Sequence, residues 1–118
     1  PHVNHFVDSE QEWKRFLNRL QLCGLCLDMA HVVLWGFEPA QAARDHAGQI
    51  AYAHLHDDLT RQNTAGDLGD GPMCDYGLFL RTLEEVGFDG WVVAVSGGTR
   101  DSVESMKINR AYLRSVGY

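Results

Sequence analysis

Aspartate and histidine side chains occur just after two short apolar segments of this 118-residue chain. Asp28 and His31 follow the apolar segment 22–27, and His54 and His56 stand at the end of the next one. Imidazole nitrogens and carboxylate oxygens bind divalent transition metals, and imidazole also exchanges protons near neutral pH. The types and spacing of these residues therefore indicate a metal site or a site for acid–base chemistry.

These side chains need a scaffold, and the rest of the sequence predicts helices that alternate with short strands. Ser9 and Glu12 form a capping box before a helical repeat of apolar residues, and Gly87 ends a later helix. The predicted strands cover residues 22–28, 50–55 and 91–95, and helices are predicted to begin near Ser9, Pro39, Asp75 and Asp101. Such alternation predicts an α/β fold with a parallel sheet. No linker or internal repeat divides residues 1–118, so we expect a single domain.

Asp28 and His54 are expected to meet at one edge of this sheet. Functional groups of parallel α/β proteins collect at the carboxyl ends of the strands, and side chains alternate between the two faces. Asp28 then shares a face with Cys26, and His54 shares one with His56. Since neighbouring strands lie about 5 Å apart, Asp28 and His54 can reach one divalent ion. The alternatives are a helix-capping or loop-tethering role for Asp28 and a hydrogen-bonded core position for His54.

Composition and charge narrow the classes of function. Sixteen acidic and ten basic residues give a net charge of −6 without a basic block, which argues against nucleic-acid binding. The longest strongly apolar stretch, 30–37, is too short to cross a bilayer. An odd number of cysteines, three, favours a reducing compartment, so a cytoplasmic location is expected. Cys23 and Cys26 are interpreted as small core thiols, with zinc or redox chemistry as the alternative.

Four segments of the chain follow one another in an order that is shared with a known superfamily. They are GLCLDMAH (24–31), QIAYAHLHD (49–57), LGDGPMCDY (68–76) and GFDGWV (87–92). This series resembles the xylose-isomerase-like TIM-barrel superfamily, which contains sugar-phosphate isomerases and epimerases, inosose dehydratases and the endonuclease IV branch. The match runs from the end of strand 5 through helix 8 of such a barrel. The resemblance implies that residues 1–118 form the C-terminal half of a (β/α)8 TIM barrel, partnered by the remainder of the barrel or by a second copy.

The resemblance also implies a divalent metal ion, commonly Mn²⁺, Co²⁺ or Mg²⁺, held by Glu, Asp, His and Glu from strands 5 to 8. Asp28 matches the aspartate, and His54 matches the second histidine of the family's H-x-H-x-[KH]-D pattern. The first glutamate would precede His2, outside this chain, and the last would fall near Val95, where no carboxylate occurs. The chain thus offers two of the four implied metal ligands.

Substrate contacts are expected at the same edge of the sheet. His31 matches a family histidine that contacts the substrate, and we predict a catalytic role for it. His2 and His56 are also predicted to bind substrate, and either of them, or His5, is a candidate to replace a missing ligand or base. Trp35 is predicted either to pack in the fold or to cover a bound substrate.

These features predict part of an isomerase or epimerase that moves a proton next to the carbonyl of a ketose, sugar phosphate or cyclitol. The lack of a carboxylate near Val95 keeps two alternatives open. One is a related lyase, such as a dehydratase or a C-glycoside-cleaving enzyme. The other is a degenerate barrel that binds a sugar or a partner chain without catalysis.

Overall fold

The fold alternates helices and strands, as the sequence predicts. A computed structural model describes residues 9–19, 24–57, 66–71, 75–96 and 100–118. In chain order the elements are α1 (Glu10–Leu17), β1 (Leu25–Asp28), α2 (Met29–Leu34), α3 (Pro39–Asp45), β2 (Ile50–Leu55), α4 (Tyr76–Glu85), β3 (Trp91–Ala94) and α5 (Ser102–Ser115). A short 3₁₀ turn, Ala47–Gln49, leads into β2. The predicted site residue His2 lies outside the described residues, as does His5.

Side-chain caps explain where three of the helices begin. The Ser9 hydroxyl accepts the backbone N–H of Glu12 at 3.2 Å and donates to its carboxylate at 3.1 Å, so Ser9 is the N-cap and supplies its half of the predicted capping box. The carboxylates of Asp75 and Asp101 accept N–H groups in the first turns of α4 and α5. Past the end of α4, Gly87 has a φ of +75°, a left-handed conformation that glycine adopts without strain.

The segment after β1 differs from the expectation. The sequence analysis predicts no helix between Asp28 and Pro39, whereas the chain turns at once into α2. Asp28 is the N-cap of this helix, and its Oδ1 accepts the backbone N–H of His31 at 3.2 Å. Trp35 is the C-cap of α2, so its position is fixed by the helix end. The helix was missed because six residues give too little of the 3.6-residue repeat to be recognised.

The three described strands form one parallel sheet in the order β1-β2-β3. Asp28 is in register with His54, and Cys26 with Tyr52, so these four side chains share one face. The opposite face is buried beneath the helices. Its core contains Leu27, Ala53 and Leu55 from the strands with Phe79 and Leu83 from α4.

The face that carries Asp28 and His54 is much more open. Cys26 is exposed, while Tyr52 and His54 are half-buried. On β3, Trp91 is 76% exposed and pairs with Tyr52 on this same face. Within the described part of the chain, β1 and β3 each have a single neighbouring strand. The described helices include none whose length and apolarity would let it cross a bilayer.

Candidate functional site

Three imidazoles surround the carboxylate of Asp28 at the carboxyl end of β1. Nε2 of His56 lies 3.1 Å from Oδ1. On the other oxygen, Oδ2, Nδ1 of His54 lies 3.4 Å away and Nε2 of His31 lies 4.0 Å away. We call these four residues the Asp28 cluster. The predicted pair Asp28 and His54 is therefore brought together, as are the predicted site residues His31 and His56.

Each member of the Asp28 cluster is placed by a different element. His54 is the second-to-last residue of β2 and lies directly opposite Asp28 in the strand register. His56 follows β2 by one residue and, by alternation, points to the same side as His54. His31 belongs to the first turn of α2, so the Asp28 cap fixes its distance from the carboxylate. Strand register and helix capping thus bring the four side chains together.

Buried groups hold the backbone around His56. The hydroxyl of Tyr76, a residue only 1% exposed, donates to the carbonyl oxygen of His56 at 3.3 Å. The next residue, Asp57, exchanges two backbone hydrogen bonds with Gly66 at 3.1 and 2.6 Å. The carboxylate of Asp57 also accepts the N–H of Gly69 at 3.2 Å. The position of His56 is consequently fixed on both sides, which lowers the entropy lost when its ring binds a ligand.

The surroundings of Asp28 keep it ionised. Burial on its own would raise the pKa of this carboxyl group. The hydrogen bond and attraction from His56, the N–H of His31 and the attraction of the His31 ring together outweigh burial and lower the pKa to about 2. Burial and the nearby Asp28 charge raise the pKa of Cys26, which disfavours a thiolate ligand at this position. The site therefore presents one anionic carboxylate and several imidazoles.

The donor atoms fit a metal ion in distance as well as in chemistry. One ligand atom from each of Asp28, His31 and His56 lies within 4.8 Å of the other two. Ligand atoms about 2.0–2.1 Å from a tetrahedral zinc ion lie roughly 3.3 Å apart, so modest side-chain rotations suffice. His54, the histidine predicted as a ligand, lies 3.4 Å from the same carboxylate but is not one of these three residues. The Asp28 cluster can therefore hold a divalent cation.

Trp35 lines a small cavity beside this cluster. A cavity of about 70 Å³ is lined by residues of β1, α1 and α2, among them Asp28, His31 and Trp35. Ligand pockets usually enclose at least about 300 Å³, so this cavity accommodates a hydroxyl-sized group. His31 and Trp35 thus share one wall beside the carboxylate. Their contact with a substrate stays a prediction.

Comparison with protein families decides how the fold is classified. Residues 1–116 match the family of xylose isomerase-like TIM barrels. The chain belongs to this family. The match confirms the predicted superfamily and the α/β barrel architecture of which the parallel sheet is a part. No curated protein matches the chain.

The end of β3 lacks the glutamate that the sequence analysis expects for this xylose isomerase-like TIM barrel. The expected glutamate would lie near Val95, but Val95 uses its N–H to extend the sheet, donating to the carbonyl of Leu55 at 2.8 Å. Ser96 follows and is exposed. Residues 91–96, all of which are described, carry no acidic side chain. Any second carboxylate at the Asp28 cluster must therefore come from another part of the barrel.

The closest imidazole to Asp28 belongs to His56, which the sequence analysis predicts mainly as a substrate contact. Its distance of 3.1 Å is shorter than the 3.4 Å to His54, the histidine predicted as ligand. The strand alternation in the sequence already places both histidines on one side. What the sequence does not supply is the bend of the chain beyond β2, which depends on Tyr76 and Gly66.

Proposed function

We propose that this chain supplies the metal-binding half of a sugar isomerase or epimerase that depends on a divalent ion and acts by proton transfer next to a carbonyl. The observation that carries the proposal is the ionised carboxylate of Asp28 between the rings of His54 and His56. It lies at the carboxyl ends of adjacent strands, where the reactions of TIM barrels take place. A ketose, a sugar phosphate or a cyclitol is the proposed substrate.

In this proposal Asp28 and His54 bind the ion, which is Mn²⁺, Co²⁺ or Mg²⁺. When bound, such an ion supplies Lewis-acid polarisation of a carbonyl oxygen and its neighbouring hydroxyl. His31 faces the small cavity beside the carboxylate and orients a substrate hydroxyl or exchanges its proton. Trp35, on the same wall, keeps water from that group. An imidazole suits this task because its pKa lies near the working pH.

Deuterium exchange at the carbon next to the carbonyl tests the proposal. The intact protein is incubated with ketoses, sugar phosphates and cyclitol ketones in D₂O, and loss of the proton signal at that carbon is followed by NMR. We expect exchange that requires added divalent metal and is abolished in Asp28→Asn. Asp45→Asn is the matched control, since Asp45 is exposed on α3 and its carboxylate accepts from Gln41. No exchange in any substrate class, with metal bound, would contradict an isomerase or epimerase.

Metal content separates the ligands from the substrate contacts. Asp28→Ala and His54→Ala should each lower the metal bound per intact protein, because each removes a donor. His31→Ala should leave the metal content unchanged and reduce turnover or sugar binding. Equal metal in the wild type and in both Asp28→Ala and His54→Ala, measured by elemental analysis, would refute the ligand assignment.

One observation favours a second function. Because residues 91–96 carry no acid, the carboxylate pair that would move the proton in an epimerase is incomplete in this half. A lyase, or a barrel that binds a sugar or a partner chain without turnover, needs fewer such groups. A lyase would release an unsaturated product or an aglycone in the same NMR experiment. A binding protein would show line broadening of the sugar signals without any conversion.

The open sheet supports a partner for this half. The apolar side chains of Trp91 and Val92 on β3 are 76% and 37% exposed, and a parallel strand edge with free N–H and C=O groups pairs readily. The proposed partner is the remainder of the barrel or a second copy of the chain. A cytoplasmic location belongs to the same proposal and is supported by the odd number of cysteines.

A further inference from the structure

The Asp28 cluster differs in its donor atoms from the ligand set that its family implies. The implied set has three carboxylates and one histidine, and one of its glutamates would lie outside this chain. In the described part of the site one carboxylate, Asp28, lies beside the rings of His54 and His56, with His31 as the predicted substrate contact. Residues 91–96 carry no carboxylate, and His56 brings a ring nitrogen to 3.1 Å from Asp28. The described part of the site is therefore rich in nitrogen and poor in negative charge.

Donor chemistry determines which ion such a site selects. Carboxylate, carbonyl and water oxygens suit Mg²⁺ and Mn²⁺, whereas imidazole suits zinc, copper, iron and nickel. We infer that His56 is a metal ligand that takes the place of the missing carboxylate and shifts the preference of this site towards Zn²⁺ and away from Mn²⁺ and Mg²⁺. The inference rests on the proposed metal-dependent function, adds His56 as a ligand, and replaces the Mn²⁺, Co²⁺ or Mg²⁺ of that proposal with Zn²⁺.

The structure prepares His56 for this role. Its side chain is only 5% exposed, and its Nε2 faces the Asp28 carboxylate. Its backbone is fixed by the hydroxyl of Tyr76 and by the pairing of Asp57 with Gly66. The ring therefore loses little conformational freedom on binding an ion, and neither Asp28 nor His56 needs to travel far to share one. A hydrogen bond between His56 and Asp28 would give the same geometry without a metal, so the experiment measures metal binding directly.

Relative affinity for two ions is the informative quantity, because almost any protein site binds Zn²⁺ more tightly than Mn²⁺. The intact protein is stripped of metal, and the dissociation constants of Zn²⁺ and Mn²⁺ are measured by competition with a chelator. In His56→Gln we expect Zn²⁺ affinity to fall about 100-fold or more, since loss of groups that merely support a ligand already costs 10–100-fold. Mn²⁺ affinity should fall less than about 10-fold, because oxygen donors dominate its binding.

Two further variants make the result specific. His56→Glu restores a carboxylate, so its ratio of Zn²⁺ to Mn²⁺ affinity should fall by about 10-fold or more relative to the wild type. His46→Gln is the matched control, since His46 precedes β2 and contacts Trp13 with ring centroids 4.7 Å apart. It precedes the start of β2, whereas the cluster lies at the end of that strand, and it should leave both affinities unchanged.

A measurement on the wild type does not depend on how the variants fold. In protein labelled with ¹⁵N-histidine, binding of Zn²⁺ should shift the assigned Nε2 resonance of His56, while both ring nitrogens of His46 stay in place. An unshifted His56 signal at saturating Zn²⁺, or a Zn²⁺ to Mn²⁺ ratio unchanged in folded His56→Gln, overturns the inference and leaves the proposed function standing. Absence of binding by any divalent ion overturns both.

Discussion

Gly24 tests whether the packing of β1 against β2 positions the Asp28 cluster. It precedes β1 and lies beside Ala51 of β2, at the point where the strand register shifts. A Cβ atom added to Gly24 would lie 2.2 Å from the Cβ of Ala51, and real Cβ atoms essentially never approach below 3.0 Å. The Gly24→Ala substitution therefore forces the two strands apart at this point.

The expected magnitude follows from that distance. The strands must open by about 1.2–1.8 Å before the two methyl groups reach ordinary contact at 3.4–4 Å. Overpacking of this kind lowers the free energy of unfolding by about 1–3 kcal/mol. The same displacement acts on the strand pair that holds Asp28 opposite His54, and a functional site tolerates about 0.5 Å. We therefore expect the affinity for divalent metal to fall by about 10-fold, as it does when supporting groups are lost.

Urea unfolding of the metal-free intact protein, together with metal titration, measures both effects. Gly48→Ala is the control, because among the described residues no atom beyond its chain neighbours lies within 4 Å of the added Cβ, and Gly48 is not one of the glycines with positive φ. That variant should be unchanged or more stable by up to about 1 kcal/mol, since alanine restricts the unfolded chain. If Gly24→Ala has a free energy of unfolding within about 0.5 kcal/mol of the wild type and an unaltered metal affinity, this reasoning is refuted.

Three other results are expected. Protonation of Asp28 should remove about 2 kcal/mol of the unfolding free energy of the metal-free protein between pH 4 and pH 2, because its folded pKa is about 2 against an ordinary 3.8. The ionised carboxylate stabilises the fold above pH 3.8, and this contribution is lost as the pH falls through 2. In urea titrations, Asp28→Asn should lack this contribution to the loss of unfolding free energy between pH 4 and pH 2. A loss equal to that of the wild type would contradict the prediction. Asp67→Ala should lower the free energy of unfolding by about 3 kcal/mol, because Asp67 is 3% exposed and accepts hydrogen bonds from Arg100, Ser105 and Asn109. Arg100→Gln should cost much less, because the Arg100 side chain is 40% exposed. Equal losses of unfolding free energy in the two variants would contradict this prediction. Residues 1–118 expressed alone should associate in sedimentation experiments or fail to unfold cooperatively on heating, because the face of the sheet that carries Asp28 is open. A monodisperse 13.2 kDa monomer that unfolds cooperatively would contradict this prediction.

Local signals in the sequence predicted most of the described elements. The capping box at Ser9 and the N-caps at Asp75 and Asp101 mark helix starts through contacts between residues two or three apart. The strand Ile50–Leu55 agrees with its prediction, which rests on a short apolar run, and burial alternates over its residues 52–55. The proximity of Asp28 and His54 follows from the same alternation together with the parallel order of the strands.

Long-range polar contacts could not be predicted in this way. Helix α5 buries the polar residues Ser105 and Asn109 and leaves Val103 57% and Met106 69% exposed. The reason is Asp67, whose buried carboxylate accepts hydrogen bonds from both polar side chains across 38 and 42 residues of sequence. Hydrophobic periodicity carries no information about such a network, because its members are polar and distant in sequence.

The two interpretations of Asp28, helix cap and metal ligand, are compatible in the structure. Its Oδ1 accepts the N–H of His31 while both oxygens face imidazole rings, so capping α2 holds the carboxylate in the orientation that a ligand needs. Asparagine caps a helix about as well as aspartate but brings no negative charge. A capping role alone would therefore be served by either residue, and only the contact with His54 and His56 calls for the acid. Asp28→Asn consequently preserves the start of α2 and removes the charge, which makes it more informative about metal binding than substitution by alanine.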